Sequence, residues 1–241
     1  MPLLLPPRLT ASADAIRDAA RRRGLDVVQL PSFELPEGLV ARHVHAGPSF
    51  ADVVAPALGI ALLEAPEDWL ARLPRELTRR AVRAMAIREA WGLRRPVFVK
   101  SPNDKSIRAM IYTDGTKLPG ADAVDPGTPV LVAEVVRFGV EVRLHVLDRA
   151  VVAASRYATG GQRDLGPAPR EAVAFGAELL ARFGDGLPSA IVVDVGTVDG
   201  EWAVIEANAA WASGCYTADP EVVLDVVLRA GRAHRAGRSC P

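Results

Sequence analysis

The sequence predicts an α+β protein in which short strands outnumber helices and do not alternate regularly with them. From residue 96, five apolar segments follow one another: PVFVK, RAMIYTDG, PVLVAEVV, EVRLHVLD and RAVVAASRY. Turn signals separate these segments, which is typical of meandering strands. Clear helical patterns cover only residues 12–24, 168–183 and 219–236. A regular βαβ protein would instead have a helix after each strand.

The first 92 residues mix both kinds of pattern. The helix over 12–24 starts at Ser or Asp and stops at Gly. LDVVQL and GIALLEAP predict strands, and residues 31–50 predict a loop. A helical region is predicted from 67 to 91, with a break near Pro74. Within it, LTRRAVRAMAIREAWG places its arginines largely on one side, where we expect a solvated face, with one or two of them alternatively reaching a phosphate. These arginines are Arg79, Arg80, Arg83 and Arg88.

Composition excludes several function classes. The 241 residues carry 29 basic and 29 acidic side chains, so no global field attracts nucleic acid or an anionic membrane. Aromatic residues make up only 5%, and no basic stretch is interleaved with them. No apolar run reaches the roughly 18 residues of a membrane span. MPLLLPPR lacks the regions of a secretory signal, and two cysteines make no disulfide framework. We therefore expect a cytoplasmic protein without nucleic-acid or membrane partners.

Lysine and asparagine are rare enough for their positions to be informative. The lysines are Lys100, Lys105 and Lys117, and the asparagines are Asn103 and Asn208. Three of these five lie within six residues. Arg supplies the other basic positions, so a compact ammonium at 100 and 105 indicates a specific need. Two lysines around a turn could hold phosphate oxygens, although either one alone could be a surface charge.

The stretch AIVVDVGTVDGEWAVIEANAAW, residues 190–211, predicts a β-hairpin with polar residues in apolar surroundings. Asp199-Gly200 is the turn signal, and it brings Asp194 near Glu206 across the strands. Asn208 shares a face with Glu206. Two adjacent carboxylates repel unless a cation lies between them, and together with an amide oxygen they suit Mg²⁺. The alternative is a polar rim at a strand end.

A second acidic pair lies in VLVAEVVRFGVEVRLHVLD. Glu134 ends one apolar strand and Glu141 opens the next, seven residues later. A connector of this kind could present backbone groups to a flat base while a carboxylate accepts from an amino or hydroxyl group. The spacing alone is not specific.

The order of these residues resembles the ATP-grasp superfamily: a strand-end Lys, a second Lys, an apolar strand into an acidic hinge, a second Glu, an Arg after a strand, then D-x11-E-x-N. The resemblance covers roughly residues 77–230. FVKSPNDKS and VIEANAAW look most like a branch of small, single-chain bacterial ATP-grasp proteins. The resemblance implies an α+β fold of two subdomains gripping a nucleotide, at 76–130 and 131–241, after a short N-terminal α/β segment at 1–75.

The resemblance also implies roles for individual residues. Lys100 and Lys105 would hold the phosphates of ATP; Glu134 with the backbone of Val135 and Val136 would meet adenine; Glu141 would accept from the ribose; Asp194, Glu206 and Asn208 would hold one or two Mg²⁺ ions; Arg156, or less directly Arg143, would face the transferring group. The activity implied is a carboxylate–amine or carboxylate–thiol ligase that forms an acyl phosphate from small-molecule or peptide substrates.

Two alternatives and one departure accompany this expectation. The same fold could serve a kinase that stops at a phosphorylated product, or a non-catalytic nucleotide-binding module. The departure is SPNDKSIRAM, which contains no glycine, whereas family members usually have a glycine-rich loop there. The oligomeric state and the identity of the substrates do not follow from the sequence.

Overall fold

The structure is a computed structural model that describes residues 1–233, and within that range the chain forms seven α-helices and four β-sheets. The helices are α1 (Ala11–Arg22), α2 (Pro48–Ala57), α3 (Trp69–Arg72), α4 (Arg75–Thr78), α5 (Ile87–Ala90), α6 (Arg170–Phe183) and α7 (Pro220–Arg229). The strands are β1 (Leu3–Leu5), β2 (Val27–Gln29), β3 (His43–Val44), β4 (Ile60–Leu62), β5 (Val82–Ala86), β6 (Val97–Lys100), β7 (Met110–Tyr112), β8 (Pro129–Ala133), β9 (Val140–Leu147), β10 (Ala150–Thr159), β11 (Gln162–Pro167), β12 (Ala190–Val198), β13 (Glu201–Asn208) and β14 (Gly231–Ala233).

The N-terminal part is a small parallel sheet with strand order β2-β1-β3. Helix α1 connects β1 to β2 and begins at Thr10, whose side chain accepts from the Ala13 N–H at 3.2 Å. Its apolar face, which includes Ile16, packs with β1 and α7 in one buried cluster. This arrangement confirms the predicted α/β character of the N-terminal segment. The boundaries at residues 75 and 130 stay predictions.

The second sheet is antiparallel, with strand order β5-β8-β6-β7. Its inner face carries Val97, Val99, Val130 and Val132, which are buried against Ile87 of α5. The helical region predicted over 67–91 is wrong at 82–86, because these residues form β5 and only one turn at α5 is helical after them. Tertiary pairing decides the outcome, since residues 82–86 bond to 129–133 across a continuous antiparallel register.

The third sheet is the largest, with strand order β11-β10-β9-β12-β13 and antiparallel pairing throughout. Helix α6 covers one face, where Leu179 and Leu180 pack against Leu144 and Ile191. The predicted hairpin is confirmed as β12–β13, and its register places Asp194 opposite Glu206.

Other boundaries differ from the sequence-based expectations. Helix α2 begins inside the segment predicted as loop, and β1 and β11 were not anticipated. The last helix ends at Arg229, after which β14 pairs with β4, so the prediction of helix up to 236 is wrong for 231–233. Residues 234–236 lie outside the described part of the chain. Very short strands such as β1 carry too few residues to show a period of two. Among residues 1–233 no helix has the length and apolarity to cross a bilayer.

Candidate active site

A cleft of about 470 Å³ lies between the four-stranded and five-stranded sheets. Both sheets supply apolar walls, and three of the predicted site residues line the cleft with charged side chains: Lys100, Glu134 and Glu141. The apolar lining comprises Leu70, Val82, Phe98, Ala109, Met110, Ile111, Leu131, Ala133, Val135, Val136, Phe138 and Ile205. A mostly apolar cleft with a few converging polar groups is the usual form of a small-molecule site.

The connector between β8 and β9 forms one wall. Its first residue, Glu134, accepts from the Ala81 N–H and from Arg75 Nη2, both at 2.8 Å. The Ala81 N–H, and then Arg75, lower the pKa of Glu134. The backbone groups of Val135 and Val136 bond to no other residue among the 233 that are described. They are therefore available to a flat ligand with its own donors and acceptors.

The end of β6 brings a cation to the cleft. Lys100 Nζ pairs with Glu206 Oε2, and the two side chains are 13% and 27% exposed. Burial alone would raise the pKa of Glu206, but Lys100 and the amide of Asn208 outweigh it and the pKa is lowered. Lys100 and Glu206 are both ionised at neutral pH as a result.

Next to this pair lies a buried Arg–carboxylate pair. Arg143 Nε and Nη2 donate to the two oxygens of Asp194 at 2.9 and 2.8 Å. The sheet register produces this contact, since Arg143 on β9 is directly opposite Asp194 on β12. Burial raises the pKa of Asp194, and Arg143 opposes that rise. The guanidinium of Arg143 is thus engaged in compensating a carboxylate that is only 2% exposed.

Asn208 connects the two carboxylates. Its Nδ2 donates to Glu206 Oε1 at 2.7 Å and to Asp194 Oδ2 at 3.1 Å. One oxygen of each carboxylate therefore points at a common position, which a donor occupies. Rotating the amide by half a turn would present its oxygen instead. Two carboxylate oxygens and an amide oxygen are ligands that Mg²⁺ prefers, so these residues fit the predicted ion.

Glu141 is held by an aromatic pair. Tyr157 donates its hydroxyl to Glu141 Oε2 at 3.0 Å and stacks on Tyr216, with ring centroids 5.3 Å apart. The Arg143 guanidinium lies 5.0 Å from the Tyr216 ring centroid. Burial raises the pKa of Glu141. Tyr157 therefore orients a carboxylate that lines the cleft.

Arg80 is a cleft residue that sequence reasoning placed mainly on a solvated face. It is only 6% exposed and donates to the carbonyl oxygens of Thr78, Val204 and Ile205 at 2.8–2.9 Å. No carboxylate among residues 1–233 forms an ion pair with it. Burial lowers its pKa to about 10. Two of the acceptors come from β13, far along the chain, so no local sequence signal could have revealed this burial.

Two predicted residues lie away from the cleft lining. Lys105 lines a separate crevice of about 810 Å³ together with residues from the N-terminal part. Arg156 pairs with Asp164 at 3.1 Å, and its guanidinium lies against Gly166 of β11. The structure thus gathers Lys100, Glu134, Glu141 and the Asp194–Glu206–Asn208 cluster, and separates the other two.

Comparisons with known proteins agree with this architecture. A family model described as an ATP-grasp domain, family 2 of its clade, matches residues 77–226. Among solved structures, D-alanine–D-alanine ligase from Bacillus anthracis is 12% identical, with a TM-score of 0.53 over 95% of this chain and 97% of that one. Its complex with ATP gives 13% identity and a TM-score of 0.51, with the same coverage. A RimK domain ATP-grasp protein from Sphaerobacter thermophilus is 17% identical, with a TM-score of 0.49 over 95% of this chain and all of that one.

A search of curated protein sequences finds no match. At these identities the solved structures show the fold alone, and that fold confirms the predicted α+β, ATP-grasp architecture. The family model covers more than half of the sequence. The chain therefore belongs to this family of ATP-grasp domain proteins.

Proposed function

We propose that this protein is a Mg²⁺- and ATP-dependent ligase that joins a carboxylate to an amine or thiol through an acyl phosphate. The observation that carries the proposal is the cluster of Lys100, Glu206, Asn208, Asp194 and Arg143, which adjoins an apolar cleft large enough for a nucleotide. The ligase fold of the family supports the reaction class.

In this proposal the base of ATP lies between the apolar walls of the cleft. The free backbone groups of Val135 and Val136 bond to the adenine edge, as Glu134 holds their connector in place. Glu141, oriented by Tyr157, accepts from the ribose hydroxyls. These three features supply shape and hydrogen bonding, with little charge.

The phosphates require cations, and the cleft has two. Arg80 carries a buried charge without a carboxylate partner in the described chain, so an anion in the cleft would lower its electrostatic cost. Lys100 is already ionised against Glu206, and it can exchange that partner for a phosphate oxygen. Arg80 thus takes the place that the sequence suggested for Lys105.

Asp194, Glu206 and Asn208 would hold magnesium. When bound, Mg²⁺ supplies positive charge to the phosphate oxygens at the reacting centre. Arg143 keeps Asp194 ionised and fixed in orientation, which makes Arg143 a positioning residue. A catalytic role for Arg156 stays a prediction that requires it to leave Asp164.

The reaction has two steps. An oxygen of the substrate carboxylate bonds to the γ-phosphorus while the bond to the β–γ bridging oxygen breaks, releasing ADP. An amine or thiol then attacks the acyl carbon, the acyl–phosphate bond breaks, and phosphate and one proton leave. Lys100 and Arg80 offset the charge that develops on the phosphate oxygens, which is where catalysts of phosphoryl transfer gain most.

Trapping with hydroxylamine tests the proposal. The protein is incubated with ATP, Mg²⁺ and a panel of carboxylic acids including the amino acids, and hydroxamate and ADP are measured together. We expect hydroxamate with a subset of acids, reduced at least about a hundredfold by Lys100→Met and Glu206→Gln and unchanged by Lys117→Met. A stable phosphorylated product without hydroxamate would identify a kinase instead. ADP release that no acid stimulates, with no acid phosphorylated, would contradict both enzymes.

A further inference from the structure

The order of the N-terminal sheet creates a crevice. Strand β1 lies between β2 and β3, so the segments that leave the carboxyl ends of β1 and β3 diverge around a topological switch point. In open parallel sheets, ligands bind at such a point. Here the crevice of about 810 Å³ lies where this rule places a ligand, lined by Pro6–Arg8 after β1 and by Gly47–Phe50 at the start of α2.

Two cations face this crevice from different parts of the chain. Arg8 follows β1, and Lys105 comes from the loop between β6 and β7. Neither side chain forms an ion pair or hydrogen bond with any residue that the structure describes. Two unpaired cations in a concave surface attract an anionic group.

The carboxylates of the crevice do not cancel these charges equally. Asp104 accepts from the backbone and hydroxyl of Ser106, both at 2.8 Å, so it stabilises the loop that carries Lys105. Asp52 remains without a hydrogen-bond partner in the described chain, on the side where the crevice meets a smaller depression lined by Glu64 and Glu67. The crevice is thus cationic at Arg8 and Lys105 and anionic at Asp52.

The rest of the lining suits an organic molecule. Phe33 and Phe50 meet edge to face with ring centroids 5.3 Å apart, and three prolines complete the apolar wall. Helix α2 starts at this wall, and its N-cap, Gly47, makes no side-chain capping bond. The exposed N–H groups of that first turn add to the positive potential of the two cations.

The crevice also adjoins the candidate active site. Its inner wall at Pro48, Asp52 and Asp104 borders a depression that reaches Pro102 and Asn103. Those two residues in turn line a small gap beside Lys100 and Glu206. The loop that carries Lys105 therefore begins at the phosphate-facing Lys100 and ends over the crevice.

We propose that Arg8 and Lys105 bind an anionic group, a carboxylate or a phosphate, on the substrate that the enzyme activates or ligates. This inference rests on the proposed function for the identity of the ligand as a substrate. Lys105 then contacts that substrate and not the phosphates of ATP. Asp52 favours a substrate in which a cationic or neutral polar group accompanies the anionic one.

Titration of the ¹⁵N-labelled full chain with simple anions tests the site without nucleotide. The probes are N-acetylglycine and inorganic phosphate, with N-acetylglycinamide as the neutral control at equal ionic strength. We expect amide signals of the crevice to shift with an anion and not with the neutral control. Arg8→Met and Lys105→Met should each weaken binding about tenfold, while Lys117→Met should have no effect. The stronger of the two probes identifies the anionic group as carboxylate or phosphate.

Stabilisation by ATP with Mg²⁺ is measured on the same proteins to separate the two proposals. Arg8→Met and Lys105→Met should keep the wild-type nucleotide response, which also shows that they fold. Nucleotide stabilisation without anion binding, or anion binding that both variants retain, would overturn the crevice site alone. Anion binding without a nucleotide response would instead overturn the proposed function and leave the crevice as an anion site.

Discussion

At the scale of single residues, the candidate site is a chain of compensated charges. Arg143, Asp194, Asn208, Glu206 and Lys100 follow one another through hydrogen bonds, with a cation at each end. Buried carboxylates are costly unless they are paired and hydrogen-bonded. The arrangement therefore keeps two acids ionised and oriented before any ligand arrives, which is what a magnesium and phosphate site needs.

Removing Arg143 tests whether Asp194 depends on it. We expect Arg143→Met to lower the free energy of unfolding at neutral pH by about 3–5 kcal/mol, because it leaves a buried carboxylate without compensation. Denaturant unfolding measures the change. Arg229→Met is the matched control, since its ion pair with Asp148 is exposed and should contribute less than about 1 kcal/mol. Equal effects of the two substitutions would show that Asp194 is not stabilised by Arg143.

Two buried histidines make stability depend on pH. His45 and His145 are 4% and 1% exposed, and each has a ring nitrogen without a hydrogen-bond partner in the described chain. Burial lowers the pKa of His45 to about 4 and that of His145 to about 3. Because these values lie below that of the unfolded chain, the unfolded chain binds protons that the folded chain cannot. Stability is therefore lost as the pH falls below about 6.5.

The expected loss is about 2 kcal/mol for each histidine between pH 6.5 and 5. Denaturant unfolding at several pH values measures this slope, and His145→Leu should remove about half of it. A slope that His145→Leu leaves unchanged would mean that other groups cause the acid sensitivity.

Sequence reasoning succeeded for residues whose neighbours are local or fixed by one turn. Asp194 and Glu206 could be paired because a single hairpin sets their register. Arg80 could not be placed, since its three acceptors belong to its own turn and to β13. A charged side chain is usually solvated, so only the folded structure shows such a buried arginine.

At the scale of elements, the β12–β13 hairpin determines the geometry of the carboxylates. Its turn residues Asp199 and Gly200 both have left-handed backbone, with φ of 51° and 86°. This pattern is that of a two-residue turn whose twist matches the strands. A slip of one residue would move Glu206 to the opposite face, so the turn helps to define the site.

Replacing the turn glycine measures that constraint. Gly200→Ala should destabilise the protein by about 1–2 kcal/mol, because an added Cβ meets no atom within 4 Å and the cost is the left-handed backbone alone. Thermal unfolding gives the value. Gly92→Ala, at a surface position without positive φ, should change stability by less than about 0.5 kcal/mol. A neutral Gly200→Ala would show that this turn does not restrain the hairpin.

Elements of intermediate length were predicted least well. The helices α1 and α6 show clear periodicity and were anticipated, as were most strands after residue 96. Strand β5 was mistaken for helix, because its alanines, methionine and arginine are good helix formers. Pairing with β8 overrides that preference.

At the scale of the whole molecule, the sheets divide the work. The four-stranded and five-stranded sheets enclose the cleft, and the parallel N-terminal sheet opens a crevice next to it. The glycine-free loop from Ser101 connects the two, with Lys100 before it and Lys105 within it. The fold follows from the family resemblance in the sequence, whereas the separation of the two lysines required the structure.

The most direct test of the account is the change in melting temperature on adding ATP with Mg²⁺. At about a hundred times Kd a ligand stabilises the folded chain by about 2.7 kcal/mol, or roughly 5–10 °C for a chain of this size. We predict such a magnesium-dependent rise for the wild type and for Lys117→Met, and its loss in Lys100→Met and Glu206→Gln, each compared with its own nucleotide-free melting temperature. No rise in the wild type at millimolar nucleotide, or an equal rise in all four proteins, would contradict the assignment of this cleft to ATP.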